Sequence, residues 1–307
     1  MTVLDIIRSP FKLFIIVIGI VIFVSCKTNI VDASKDFKEK NQNYIPYYLK
    51  VYEAKEYYDS KNYEKSFAIL DSLFNYYEPN EVPTIYEMDI YCELAVLLKK
   101  YNKNILKKVF ITTVSKYGRK PYLVEDTDNM WKEVVLHSGL ERKYFDSLYN
   151  KYLSGINYGL KDTIVEMYKR DQMFRKKDSN YNPVKFDSID KVNAIILLDV
   201  LKKYGYPREN IVGGMEVENP VKPNYLSTIL MHLDYDFYNN ELKNLLHKEL
   251  QKGNLSPLNY AMMLDKFYIS HKDRLIDYAY LGTFKNVPVQ DTLKTNQARR
   301  LVGLPKL

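Results

Sequence analysis

The chain has 307 residues, with 45 Lys and Arg against 38 Asp and Glu and a formal net charge of +7. A hydrophobic fraction of 46% and an aromatic fraction of 14% exclude a disordered or low-complexity polypeptide. Basic and acidic residues alternate throughout, so no concentrated basic face is expected to follow a phosphate backbone, and nucleic acid is excluded as a partner.

The chain opens with Arg8 and Lys12, then an apolar run from Leu13 to Val24, then Phe23-Val24-Ser25-Cys26. A charged start, a short apolar stretch and a small residue before a cut are the parts of a secretory signal. The uncharged stretch Leu13–Cys26 would make a helix of about 21 Å, short of the roughly 30 Å needed to span hydrocarbon, so a transmembrane anchor is the weaker alternative. Ending on cysteine, the segment resembles a bacterial lipoprotein signal. That resemblance implies a signal peptide over residues 1–25, lipidation of Cys26, and a membrane held as partner through the N-terminal lipid. Lys27-Thr28-Asn29 follows without an aspartate. By resemblance to Gram-negative sorting rules this implies the outer membrane, facing the periplasm, with the inner membrane as the alternative. Residues 26–43 are expected to form a flexible tether with a reach of about 20–25 Å.

A helical region is expected over 44–153. Tyr47, Tyr48, Val51, Ala54, Tyr57 and Tyr58 recur at helical spacing, Ser60-Lys61-Asn62 breaks the run, and Tyr63, Phe67, Leu70, Leu73 and Phe74 carry a second helix. Ala54, Tyr57, Tyr63, Ser66, Leu70, Leu73 and Pro79 fall as in one tetratricopeptide repeat, which this pair resembles. A second, degenerate pair is expected at 84–101 and 104–117, with Ile85, Met88, Cys92 and Ala95 along one stripe. Cys92 has no thiol partner once Cys26 carries lipid, and is expected to behave as a small buried hydrophobe. Further helices beginning near Trp131 are expected to cover the end of the array, followed by one at Glu141–Tyr152. The 29 tyrosines are read as core and boundary filler, with a binding surface as the alternative.

Ser154-Gly155-Ile156-Asn157 reads as a joint before a second helical domain at 158–307. Its helices are expected at 160–178, 188–204, 224–233, 237–251 and 257–269. The helix at 188–204, apolar nearly all round, is expected at its centre. Residues 211–219 and 278–292 read as loops that could hold short strands. No long alternating series occurs, so the class is mainly α.

Candidate functional residues are the polar groups that interrupt apolar stripes. Asp171 and Arg175 continue the face set by Leu160, Ile164, Met167 and Tyr168, one turn apart, with Gln172 at its edge. Asp265 falls among Leu258, Ala261, Met262, Tyr268 and Ile269. Buried acids need partners, and Arg175, Arg299 and Arg300 are the expected ones. His232-Leu233-Asp234 lies between two helices, where Asp234 or Asp236 is expected to cap the second. The polar cluster expected to bind a ligand is therefore Asp171, Gln172, Arg175, His232, Asp234, Asp265, Arg299 and Arg300. Among these, His232, Asp171 and Asp265 are the candidates for catalysis. No two histidines have zinc-type spacing, and no Gly-rich phosphate loop or Gly-x-Ser-x-Gly elbow occurs, so no metal or cofactor is expected.

Asp171-Gln172-x-x-Arg175, Gly205-Tyr206-Pro207, Val212-Gly213, His232-x-Asp234, Leu264-Asp265 and Arg299-Arg300-x-x-Gly303-Leu304 follow in an order that resembles a bacterial domain family of unknown function. That family carries a Tyr-Gly-Thr-Gln box, where this chain has Tyr280-Leu281-Gly282-Thr283-Phe284. The resemblance implies no particular reaction. The expected role is a lipid-anchored envelope protein acting as a binding or assembly module for a protein or peptide, with Tyr48 and Tyr52 as anchors. The alternative is an envelope hydrolase using the polar residues of the C-terminal domain.

Overall fold

The computed structural model describes residues 43–83, 85–119, 129–175, 183–214, 217, 220–222, 224–233, 241–271 and 280–307. The signal segment, Cys26, Asp234, Asp236 and nearly all of the tether lie outside the described residues. The fold is mainly α, and no strand occurs among the described residues.

Helix α1 (Ile45–Asp59) starts with a proline in its first turn, where a missing N–H costs nothing. It buries Tyr47, Tyr48, Val51 and Ala54, as the spacing predicts. Helix α2 (Tyr63–Tyr76) buries Ser66, Phe67, Leu70, Leu73 and Phe74. The two approach closely where both side chains are small: the Ser66 hydroxyl donates to the Ala54 carbonyl at 2.8 Å. Helix α3 (Glu87–Leu98) follows, and Tyr91 stacks on Phe67 at 5.1 Å. The predicted stripe holds, since Ile85, Met88, Cys92 and Ala95 are all buried.

Helix α4 (Lys103–Tyr117) is capped by the Asn102 side chain and ends at Gly118, whose φ is +63°. A Cβ at Gly118 would lie 2.4 Å from the Tyr152 ring, so glycine here permits both the helix stop and the contact with helix α6. Helix α5 (Asn129–Ser138) and α6 (Arg142–Ser154) pack on α3 and α4. Phe145 of α6 meets Phe110 edge-on at 5.8 Å, and Trp131 of α5 is half-buried beside it.

Residues 154–157 link α6 to α7 (Tyr158–Gln172), and Asn157 caps α7 by accepting from Leu160 N at 2.9 Å. Then come α8 (Pro183–Tyr204), a single turn α9 (Glu209–Val212), α10 (Asn224–Met231), α11 (Lys243–Gln251), α12 (Pro257–His271) and α13 (Thr292–Leu301). Helix α8 differs from its expected place at the centre. It buries Ala194, Leu197, Val200 and Leu201 on one side only, and leaves Val192 and Ile195 44% and 48% exposed. Helix α13 follows the 278–292 segment read as a loop, in a stretch for which the sequence pattern predicts no element. Its start is set by the Asp291 carboxylate, which accepts from Lys294 N.

One hydrophobic core runs from Tyr44 to Leu304 and draws on both halves of the chain. Tyr44 N donates to Gln251 O at 2.7 Å, and the Tyr48 hydroxyl donates to Leu255 O at 3.2 Å. Gly303, at φ +82°, lies so close that a Cβ would sit 2.9 Å from the Tyr48 ring. A buried polar network completes this seam. Asn80 donates to Gly253 O at 2.8 Å, while its side-chain oxygen accepts from Arg208 and from the Tyr117 hydroxyl, both at 2.9 Å. On the α1 side, Tyr47 reaches Asn80 O at 2.8 Å and Glu87 Oε1 at 3.0 Å. Glu87 is fully buried and also accepts from Val82 N. Burial pushes its carboxyl up to about 7.

Candidate functional site

The polar residues singled out in the C-terminal half divide into two groups, and no hydrogen bond or ion pair joins these groups among the described residues. The first forms where α7, α8 and the end of α10 meet. Asp171 closes the buried face of α7 at 1% exposure, in line with Leu160, Ile164 and Met167. An isolated carboxylate at such depth would be strongly unfavourable, so its partners define the site. His232, just past α10, brings Nδ1 within 2.9 and 3.0 Å of the two Asp171 oxygens. Gln172 donates its side-chain amide to Asp171 Oδ2 at 2.6 Å. Arg175 Nε stands 3.4 Å from Asp171 Oδ1, and its Nη2 donates to Asp190 on α8.

A carboxylate can only accept, so the imidazole donates from Nδ1, and in its neutral form it carries its lone pair on Nε2. Among the described residues Nε2 has no hydrogen-bond partner, and the His232 side chain is 24% exposed against 1% for Asp171. This is the arrangement that fixes an imidazole in one tautomer and one orientation, leaving the outer nitrogen to accept or return a proton.

Two further residues belong here that reading the sequence passed over. Asp190 is half-buried, and burial raises its carboxyl while Arg175 pulls the other way. Asn193, one turn on, is 1% exposed and donates to Met167 O at 3.1 Å, while its side-chain oxygen is buried without a hydrogen-bond partner. Both lie on the buried side of α8 with Ala194, Leu197 and Leu201, so they too interrupt an apolar stripe. That signal is in the sequence, masked by the many aliphatic residues around it.

The second group is a clasp. Asp265 is fully buried, as its stripe predicts, and accepts from Leu281 N at 2.6 Å and from the Thr283 N–H and hydroxyl at 2.8 and 2.7 Å. Burial raises its carboxyl, and these three donors oppose the rise. Arg299 donates to Leu281 O at 2.7 Å and Pro305 O at 2.5 Å. The Tyr280–Phe284 segment is thereby fastened between α12 and α13, and the Tyr280 hydroxyl donates to Phe284 O. Of the three arginines expected to partner the buried acids, Arg175 stands beside Asp171 and Arg299 lies at the Asp265 clasp. Arg299 bonds carbonyl groups around Asp265, and Arg300 is exposed. Arg175 stands beside Asp171 as the i,i+4 spacing predicts, whereas His232 arrives because α7 packs on α10, a neighbour that charge-matching along the sequence does not reveal.

The expected peptide anchor Tyr48 is 1% exposed, sealed by residues 250–255 and by Gly303. Tyrosines serve chiefly as core here: Tyr44, Tyr47, Tyr77, Tyr91, Tyr117, Tyr206 and Tyr260 are all buried. Among the described residues no group of His, Cys, Asp and Glu is placed to hold a metal ion. No helix among them is long and apolar enough to cross a membrane. A search for relatives found no matching protein family, curated protein or solved structure.

Proposed function

We propose that this is a lipid-anchored cell-envelope protein, tethered through Cys26 to the outer membrane on its periplasmic side. Its folded body would act as a hydrolase of envelope material, with His232 as general base and Asp171 as the group that orients it. The single observation carrying the chemical part is the contact of His232 Nδ1 with both oxygens of a carboxylate buried to 1% exposure. The placement rests on the signal-like segment ending at Cys26.

Such a base takes a proton from water or from a substrate hydroxyl through Nε2 and returns it to the leaving group, the Asp171 carboxylate stabilising the imidazolium that forms between. The test is turnover of envelope peptides, glycans and esters by the purified full chain, compared with His232→Gln and Asp171→Asn. Positioned general acid–base groups contribute about 10²–10⁴-fold, so both variants should lose at least about 10²-fold while remaining folded. Equal turnover in His232→Gln would remove the proposal.

A second reading, a binding or assembly module, is favoured by a different feature. An open cleft of about 460 Å³ lies between α2 and the start of α4, lined by Phe67, Asp71, Lys100, Tyr101, Asn102 and Lys103. Crosslinking in intact cells, followed by recovery from solubilised envelopes, checks it. Substituting Asp71 and Lys103 should abolish any specific adduct.

A further inference from the structure

Two nitrogen-bearing side chains, His232 and Arg175, serve Asp171, and they engage it unequally. His232 Nδ1 lies within 3.0 Å of both oxygens, whereas Arg175 Nε stands at 3.4 Å and makes no hydrogen bond. Arg175 is only one helical turn from Asp171 in sequence, and a guanidinium meeting a carboxylate favours a two-pronged contact. Something therefore holds it back. Its Nη2 is bonded to Asp190, and its guanidinium lies 4.7 Å from the centre of the Phe186 ring. Asp190 and Phe186 both belong to α8 and are spaced one turn apart, so they act from the same side.

We infer that Asp190 is a positioning residue: it draws Arg175 toward α8 so that the Asp171 carboxylate stays committed to His232. This inference rests on the acid–base reading of the Asp171–His232 pair. Two carboxylates compete for one guanidinium. An arginine released from its second partner brings a full positive charge and a fork of two donors, so it displaces the single N–H of a neutral imidazole from the Asp171 carboxylate. With the carboxylate taken, His232 no longer has an acceptor at Nδ1. The ring is then free to carry its proton on Nε2, the nitrogen that the chemistry requires to be bare.

The readout is the tautomer of His232, observed through its ring nitrogens in full chain labelled with ¹⁵N-histidine in detergent, at a pH where the ring is neutral. Only four histidines contribute signals, and His232→Gln identifies the relevant pair. In the native chain Nδ1 should carry the proton. In Asp190→Asn the Nδ1–H form should fall to a minority, while Asp190→Glu, which keeps the charge, should retain the native pattern. Adding Arg175→Gln to Asp190→Asn removes the competitor and should restore the Nδ1–H form. An unchanged tautomer in Asp190→Asn overturns the positioning role and leaves the dyad intact. A native His232 that carries its proton on Nε2 overturns both.

Discussion

Replacing Glu87 by Gln should remove a pH dependence of stability that this one side chain imposes. Glu87 is fully buried among Tyr47, Val82 and the Asn80 segment, and its carboxyl rises from 4.5 to about 7. Burial is the main cause, opposed by the hydrogen bonds from Val82 and Tyr47. The folded protein thus holds this proton more tightly than the unfolded chain does. Its stabilising contribution is full below the unfolded value and is lost as pH rises through about 7. Moving a carboxyl from 4.5 to about 7, at about 1.4 kcal/mol for each step of one in pH, corresponds to roughly 3.5 kcal/mol. Urea unfolding at pH 5 and pH 8.5 measures it. The native chain should lose about 2.5 kcal/mol more than Glu87→Gln across that interval, since the unfolded carboxyl is already largely ionised at pH 5 and other groups titrate alike in both proteins. Asp89, whose carboxyl also rises, to about 6, is common to both and cancels to first order. Parallel pH profiles for the two proteins would refute the reasoning and place an ionised carboxylate at the seam.

Three other expectations follow from the packing. Gly303→Ala forces a side chain into positive φ and against the Tyr48 ring, so it should cost about 1–3 kcal/mol in denaturant melts, whereas Gly159→Ala, which meets only the Asn157 side chain at 3.6 Å, should not. Asp265→Ala leaves Leu281 N and the Thr283 groups without an acceptor; hydrogen exchange at residues 280–284 should accelerate at least tenfold while α1 and α2 keep their protection. Cys92 is buried and its thiol is pushed up by burial and by Asp89, so thiol reagents should modify it only at the rate of global unfolding.

The helices of the N-terminal half are legible because their apolar positions recur without interruption. Tyr47, Tyr48, Val51 and Ala54, then Phe67, Leu70, Leu73 and Phe74, describe two buried faces, and these are the faces observed. Helix α13 is not legible in that way. Of its residues from Thr292 to Leu301 only Thr295 is buried, and the segment is held by its cap, by the Thr295 hydroxyl on Tyr280 O and by the Arg299 clasp. Helix α12 shows an intermediate case. Asp265 and Ala261 point inward as their stripe predicts, yet the other buried neighbours are Tyr260, Met263, Leu264 and Phe267, a face turned somewhat from the one expected.

The candidate site divides along the same line. That Asp171 turns inward could be read from its place on the stripe of Leu160, Ile164 and Met167. Its neighbour Arg175 could be read from the i,i+4 spacing, but His232 could not, because it lies 61 residues away and arrives only through the packing of α10 on α7. Charge alone suggested Arg299 and Arg300, but tertiary structure sends the first to backbone carbonyls and the second to solvent. Asp190 and Asn193 escaped notice for a related reason: a long aliphatic helix reads as apolar all round until a neighbour shows which side is buried.

The most direct measurement is hydrolysis of isolated envelope material by the full chain in water enriched in ¹⁸O, with products weighed by mass spectrometry. The account predicts one heavy oxygen incorporated per bond cleaved, and its loss in His232→Gln while that variant's thermal unfolding stays native-like. Label incorporation that persists unchanged in His232→Gln would contradict a base at His232. Absence of any cleavage by the native chain would contradict the hydrolytic role itself.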